Sequence, residues 1–258
     1  MSRTLALITG ASSGIGAAYA RQLSADYDLV LVARRADRLS ELADELRGAA
    51  VEVLPADLST TDGIATVAKR LADGDIRLLI SNAGTGGYAP LAQVPAGEID
   101  RLLTLNAVAS MQLARAALPG MLAVGEGAIV TVASLLAFSA GQDDPRMPSR
   151  TLYAAAKAAT VAFTRTLATE VAGTGVRTQV VCPGVVATEF DNGAGRALPF
   201  AMNAEDVARA SLTGLRSGES ICVPGLEDQA AAMDALLAAE AALLGGNRPA
   251  PATRYLAS

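Results

Sequence analysis

Histidine is absent from this chain, and so is tryptophan. The first absence excludes a Ser–His–Asp triad, a His general base and any His-ligated metal. Proton chemistry then falls to tyrosine, lysine or a carboxylate. Cysteine occurs twice, at Cys182 and Cys222, each within an apolar run ("TQVVCPG" and "SICVPG"). That pattern suits neither a disulfide framework nor a metal cluster, and no metal is expected. Aromatic residues make up 3% of the chain, so the core must be built from Ala, Val, Leu and Ile. Such a core suits helices packed closely on a parallel sheet. Long basic runs are missing too. With a net charge of −5, this argues against general binding to nucleic acid or an anionic membrane. No hydrophobic stretch reaches membrane-spanning length without a charge. The opening "MSRTLALITGASSG" has a short apolar run that ends in a glycine loop, unlike a signal peptide, so a cytoplasmic protein is expected.

What is present is a regular alternation. Apolar, β-branched runs near 4–9, 28–33, 51–55, 76–81, 127–133, 176–182 and 219–223 read as strands. Helical patterns fall between them, near 14–25, 36–48, 60–73, 98–122, 152–173 and 204–217. Strand–helix alternation implies right-handed βαβ units: an α/β, doubly wound parallel sheet of about seven strands with helices on both faces. No Pro/Gly/Ser linker divides the chain, so a single domain over 1–258 is expected. An Ala/Leu-rich extra helix near 227–244, packing on the core or on a partner subunit, precedes a tail at 245–258.

After the first strand comes "TGASSGIG", residues 9–16. Gly10 permits a tight turn off the strand, Gly14 lets the backbone approach a pyrophosphate, and Gly16 lets the next helix pack on the sheet. The helix N-terminus then offers free N–H groups to an anion. Ser12, Ser13 and Ile15 belong to the same expected cofactor loop. At the end of the second strand, where an acid would bind an adenine ribose 2′-hydroxyl, the sequence reads Ala33-Arg34-Arg35. Two guanidiniums suit a 2′-phosphate and point to NADP(H) over NAD(H). Asp57, with Leu58 beside it, is placed to accept from the adenine amino group.

The stretch "YAAAK" sets Tyr153 and Lys157 four residues apart, on one helix face. A free phenol has a pKa of roughly 10, and an adjacent ammonium favours its ionised form. Together with "NAG" (82–84), Asn106 in "LNAVAS", Ser134 in "VTVAS" and "PGVVAT" (183–188), these motifs occur in an order that resembles the short-chain dehydrogenase/reductase family over roughly residues 4–225.

The resemblance implies that Tyr153 is the general acid for carbonyl reduction, or the base for alcohol oxidation. It implies that Lys157 lowers the Tyr153 pKa and binds the nicotinamide ribose. Ser134 would hydrogen-bond the substrate oxygen, and Asn106 would hold a water that links Lys157 to solvent. Asn82, Ala83 and Gly84 would line the cofactor. Pro183, Gly184, Val186 and Thr188 would bracket the nicotinamide. The implied protein is an NADP(H)-dependent oxidoreductase acting on a ketone or secondary alcohol, assembled as a homodimer or homotetramer through the helices near 98–122 and 152–173. The alternative is a catalytically silent cofactor-binding sensor or scaffold. A dehydratase or epimerase on the same fold is a third option.

Three departures from the family pattern stand out. The interval from Ser134 to Tyr153 is long and contains "GQDDPRMPSR" (141–150), expected to wall or cap the site. Ser81 replaces the first of two usual asparagines. The substrate loop, about 188–204, is short, and its Phe190, Leu198, Phe200 and Met202 are candidates to line an apolar pocket.

Overall fold

The computed structural model describes residues 3–255. Seven strands form one sheet: β1 (Thr4–Thr9), β2 (Tyr27–Ala33), β3 (Val51–Pro55), β4 (Ile76–Ser81), β5 (Gly127–Val132), β6 (Val176–Val181) and β7 (Ile221–Cys222). Their spatial order is β3-β2-β1-β4-β5-β6-β7, and every neighbouring pair is parallel. The expected doubly wound sheet is therefore present. Its seventh strand is shorter than the predicted 219–223, because only two of its residues pair with β6.

The helices are α1 (Gly14–Leu23), α2 (Ala36–Glu45), α3 (Thr61–Leu71), α4 (Ala96–Leu103), α5 (Ala109–Val124), α6 (Thr151–Glu170), the single turn α7 (Phe190–Gly193), α8 (Ala204–Arg216) and α9 (Gln229–Leu244). Alternate strand residues feed two cores. On one face Ala6, Ile8, Leu31 and Val130 meet Tyr19, Leu39, Val207 and Leu212 from α1, α2 and α8. On the other, Leu7, Val30, Leu79 and Ile129 meet Ile64, Leu113, Met121 and Leu167 from α3, α5 and α6. Burial on both faces explains why the strands read as unbroken apolar runs.

Side-chain caps fix several helix starts. Thr60 Oγ1 accepts from Gly63 N–H at 3.1 Å ahead of α3, and Asn203 Oδ1 accepts from Asp206 N–H at 2.6 Å ahead of α8. Each satisfies a backbone donor that the helix cannot. The predicted helix 98–122 is broken: α4 and α5 are joined by a π-helical turn, Thr104–Val108. By length and composition alone Ala96–Val124 is apolar enough to cross a membrane. Here it is a core helix, with Leu102, Ala107, Leu113, Ala114, Ala117 and Met121 buried.

The chain through Pro224 forms one compact unit, and the chain from Gly225 on forms a second. The second unit holds α9, capped by Asp228 Oδ1 accepting from Ala231 N–H at 3.0 Å. None of the side chains of α9 is buried. The last three residues of the predicted tail lie outside the described residues.

The sheet order reverses between β1 and β4, which are neighbours although β2 and β3 intervene in sequence. Loops leaving the C-terminal ends of these two strands diverge to opposite faces. Open parallel sheets bind ligands in the crevice so formed.

Candidate active site

The glycine loop leaves β1 at this crevice. Gly10 and Gly14 have φ of 68° and 54°, a region that favours glycine. A Cβ on Gly10 would stand 2.7 Å from Asn82 Nδ2, and one on Gly16 would collide with Gly10 O. The loop is thus packed as tightly as glycine allows. Gly14 opens α1, and its N-cap Ser13 makes no side-chain cap, which leaves the first-turn N–H groups to an anion. Ile15 turns the other way and packs against the core.

Asn82 also points inward. Its Nδ2 donates to Thr9 O at 2.9 Å, while the N–H groups of Asn82 and Ala83 donate to Thr9 Oγ1 at 2.9 and 3.0 Å. Its side chain therefore braces β4 against β1, a role that depends on those strands being neighbours.

The two arginines after β2 diverge. Arg35 Nη2 donates to Ser12 Oγ and Ser13 Oγ, each at 2.9 Å. Arg34 lies instead near Asp57. Burial raises the Asp57 carboxyl, but the Ser59 N–H and hydroxyl, with Arg34 and Arg101 nearby, more than offset this and hold it below its ordinary value. Ser59 N–H and Oγ–H donate to Asp57 Oδ1 at 2.9 and 2.7 Å. Leu58 is buried in the core, so its side chain is unavailable to a ligand. A cluster not singled out from the sequence completes this corner. Glu189 Oε2 accepts from Arg35 Nη1 at 3.1 Å and Arg38 Nη1 at 2.6 Å, and Arg196 Nη2 lies 3.7 Å from Glu189 Oε1.

On the β5 side, α6 is fixed by a buried contact between Thr131 Oγ1 and Thr164 Oγ1 at 2.8 Å. That contact sets the face carrying Tyr153 and Lys157 against the end of β5, where Ser134 follows. All three side chains are buried. Lys157 Nζ donates to Val132 O at 2.9 Å and lies 5.7 Å from the centroid of the Tyr153 ring. Burial pushes the Lys157 ammonium down to about 8, with Cys182 acting weakly the other way. Tyr153 is shifted up, first by burial and then by Tyr88, while Ser134 pulls the other way. The expectation that Lys157 draws this phenol down is not met. The buried ammonium is directed at Val132 O, and desolvation of the phenol dominates.

Asn106 sits in the π-helical turn and is buried. Its Nδ2 donates to Thr85 O and to Leu102 O, each at 3.1 Å. Its Oδ1 accepts from Thr85 N–H at 3.1 Å. The carboxamide thus clamps both backbone groups of the residue after "NAG". A Cβ on Gly84 would stand 2.8 Å from Asn106 Oδ1 and 3.4 Å from Lys157 Nζ, which accounts for glycine there. Thr160 Oγ1 on α6 donates to Asn106 O at 3.1 Å and ties the turn to α6.

In a chain so poor in aromatics, three rings gather here. Tyr88 meets Tyr153 edge to face with centroids 5.1 Å apart, and Phe190 lies 6.1 Å from Tyr153. Asp191 and Asn192 follow Phe190 with φ of 50° and 57°, a conformation these two residue types tolerate better than most. Of the other apolar candidates, Met202 packs against the core and bridges to Val186, while Leu198 and Phe200 are exposed. Thr188 is buried, with Oγ1 accepting from Phe190 N–H at 3.2 Å. Pro183 O accepts from Leu135 N–H at 2.9 Å, and Gly184 lies under the Leu135 side chain. Arg150 ties the end of the 141–150 segment back to its start and to the turn before it, donating to Gln142 O at 2.8 Å and to Ser139 Oγ at 2.8 Å.

Residues 4–198 match the family model described as short chain dehydrogenase. The chain belongs to the short-chain dehydrogenase/reductase family. Among curated relatives, 1-deoxy-11-beta-hydroxypentalenate dehydrogenase of Streptomyces exfoliatus is 37% identical over 219 residues, 79% of this chain and 76% of the relative. Among solved structures, the bulky-bulky ketone specific alcohol dehydrogenase of Comamonas testosteroni superposes with a TM-score of 0.89 at 33% identity, covering 100% of both chains. A short-chain dehydrogenase of Sphingobium yanoikuyae in complex with NADPH superposes with a TM-score of 0.88 at 38% identity, covering 96% of this chain and 97% of that one. As a short-chain dehydrogenase/reductase this protein is an oxidoreductase. Among the described residues no group of His, Cys, Asp and Glu could hold a metal ion.

Proposed function

We propose that this protein is an NADP(H)-dependent carbonyl reductase that interconverts an apolar ketone and its secondary alcohol. The reading is carried by one arrangement: buried Ser134, Tyr153 and Lys157 at the end of β5, with Lys157 Nζ donating to Val132 O and the Asn106 carboxamide clamping Thr85. The residues present suit a dinucleotide. Glycines at 10, 14 and 16 leave a cradle that Cβ atoms would fill, the N-terminus of α1 is uncapped, and Arg35 with Ser12 and Ser13 offers donors to a 2′-phosphate.

A bound nicotinamide supplies the hydride, or accepts it in the reverse direction. The protein does the rest. Ser134 and Tyr153 hydroxyls hold the substrate oxygen, and Tyr153 gives its proton as charge builds there. Lys157, anchored on Val132 O, holds the nicotinamide ribose. The apolar mouth at Tyr88 and Phe190, and the likeness to a ketone-specific alcohol dehydrogenase, support an apolar ketone as substrate.

Assembly through α5 and α6 belongs to the same proposal. An open groove of about 390 Å³ lined by Met111, Ala159, Ala162 and Phe163 runs along these helices and supports it. The cytoplasmic location expected from the sequence is likewise retained as a proposal.

The test is calorimetric binding of NADPH and NADH, followed by a ketone panel with the tighter cofactor. Tighter NADPH binding with its oxidation on an apolar ketone supports the reading. Binding without turnover on a broad panel favours the sensor, and failure to bind either cofactor removes the reading altogether.

A further inference from the structure

We propose that Glu189 is a specificity-determining residue that weakens the preference of this site for a 2′-phosphate over a 2′-hydroxyl, by holding the arginines that would otherwise read the phosphate. The proposal rests on the dinucleotide reading above and deepens it.

The geometry is that of a carboxylate placed inside a guanidinium cluster. Arg35 has its donors divided. Nε and Nη2 are directed at Ser12 Oγ, at 3.2 and 2.9 Å, and Nη2 also reaches Ser13 Oγ. The remaining edge, Nη1, is given to Glu189. Arg38 Nη1 makes a still shorter contact, 2.6 Å, with the same Oε2. Arg196 approaches the second oxygen. Three guanidiniums therefore converge on one carboxylate, beside two serines whose hydroxyls accept from Arg35 and keep their own protons to donate.

The link is long range. Glu189 comes from the loop after β6, while Arg35 and Arg38 flank the start of α2. Glu189 follows Thr188, whose Cγ2 would lie 3.1 Å from a Cβ on Gly14. The carboxylate is thus carried across the phosphate loop by a residue already packed on it.

The charge argument follows. A phosphate monoester carries close to two negative charges at neutral pH. To pair with Arg35 Nη1 or Arg38, it must displace the carboxylate or share the donors with it at close range. A 2′-hydroxyl carries no charge and meets no such opposition. Arg35 and Arg38 were held here by a residue of the same fold unit, so the discrimination is graded and adjustable by one side chain. The groups are roughly two-fifths exposed, so solvent screening keeps the effect modest.

Titration calorimetry of the full-length protein with NADP⁺, NAD⁺, 2′,5′-ADP and 5′-AMP tests this. Glu189→Gln keeps the shape of the side chain and removes the charge. It should tighten NADP⁺ and 2′,5′-ADP by about three- to tenfold, the scale of one or two partly exposed charge pairs, and leave NAD⁺ and 5′-AMP within about twofold. Adding Arg38→Ala to that variant should cancel the gain. Glu189→Ala repeats the measurement without the amide, should the first variant fold poorly by circular dichroism. If wild type binds both dinucleotides and the substitution leaves their ratio unchanged, or moves it toward NAD⁺, the role assigned to Glu189 is wrong while the dinucleotide site stands. If wild type binds neither dinucleotide, both fall together.

Discussion

Tyr88 and Tyr153 meet edge to face, with ring centroids 5.1 Å apart and an interplanar angle of 61°. Tyr88 therefore does more than pack. After burial it is the main influence that holds the Tyr153 phenol protonated.

Tyr88→Phe should keep the ring contact and remove the hydroxyl. Tyr153 then ionises more readily. In the proposed mechanism alcohol oxidation uses the Tyr153 phenolate as base, so the rising limb of its pH–rate profile should move to lower pH. An unmoved limb, measured over a range of buffers with one alcohol, would show that Tyr88 has no hold on the catalytic proton.

Tyr153→Phe should remove the acid while leaving the glycine loop intact. Turnover should fall by about 10² to 10⁴, the usual worth of a positioned general acid, with NADPH affinity kept. Near-normal turnover on a cognate ketone would place the proton donor elsewhere.

Lys157 gives a stability prediction with a definite sign. Its ordinary value of 10.5 falls to about 8 in the fold. Between those values the unfolded chain binds the proton and the folded chain does not, so this group makes stability rise with pH from about 8 to 10.5. Buried Cys182 and Cys222, raised to about 12 and about 11 by burial, act in the opposite direction above their ordinary 9.0. Comparison with Lys157→Met isolates the lysine. That variant should melt higher than wild type near pH 7, and the gap should close toward pH 10. A constant gap would mean that the buried amine is not titrating in this window.

Asn106→Ala would leave the N–H and C=O of Thr85 without their partner. A fully buried unsatisfied group costs about 1–3 kcal/mol; these two are partly buried, so a fall in stability of about 1 kcal/mol or more is expected in urea denaturation. Turnover should fall as well, because Gly84, next to Thr85, borders Lys157. Loss of turnover with full stability would assign Asn106 a purely chemical role.

Arg35→Ala should weaken NADPH binding more than Arg34→Ala, since Arg35 reaches Ser12 and Ser13 while Arg34 faces Asp57. Calorimetry on the two single variants ranks them, and equal losses would return Arg34 to the phosphate site.

These comparisons show where sequence was legible. Strand–helix alternation and the glycine spacing are local patterns, and the seven-stranded parallel sheet and the turns at Gly10 and Gly14 followed from them. The Tyr153–Lys157 spacing reads directly as one helix face. Glu189 was not legible, because its partners lie 151 and 154 residues away in the chain. Arg38, three residues beyond Arg35 on the same helical turn, could have been suspected from spacing alone. Tyr88 lies in a segment without regular periodicity, and only the fold brings it to Tyr153. The inward turn of Asn82 required knowing that β4 lies beside β1.

The π-helical turn at Thr104–Val108, where Ala109 N–H reaches back to Thr104 O, amounts to one residue more than a regular helix needs. Removing one residue from this turn would let the helix run straight from α4 into α5. The wider turn absorbs the extra residue, so α4 and α5 would keep their faces nearly in register, but the local widening that carries Asn106 to Thr85 would be lost. The shorter chain would contain a more ordinary helix and a dismantled site. Length at this point is itself a functional character, one that a comparison of residue types position by position would overlook.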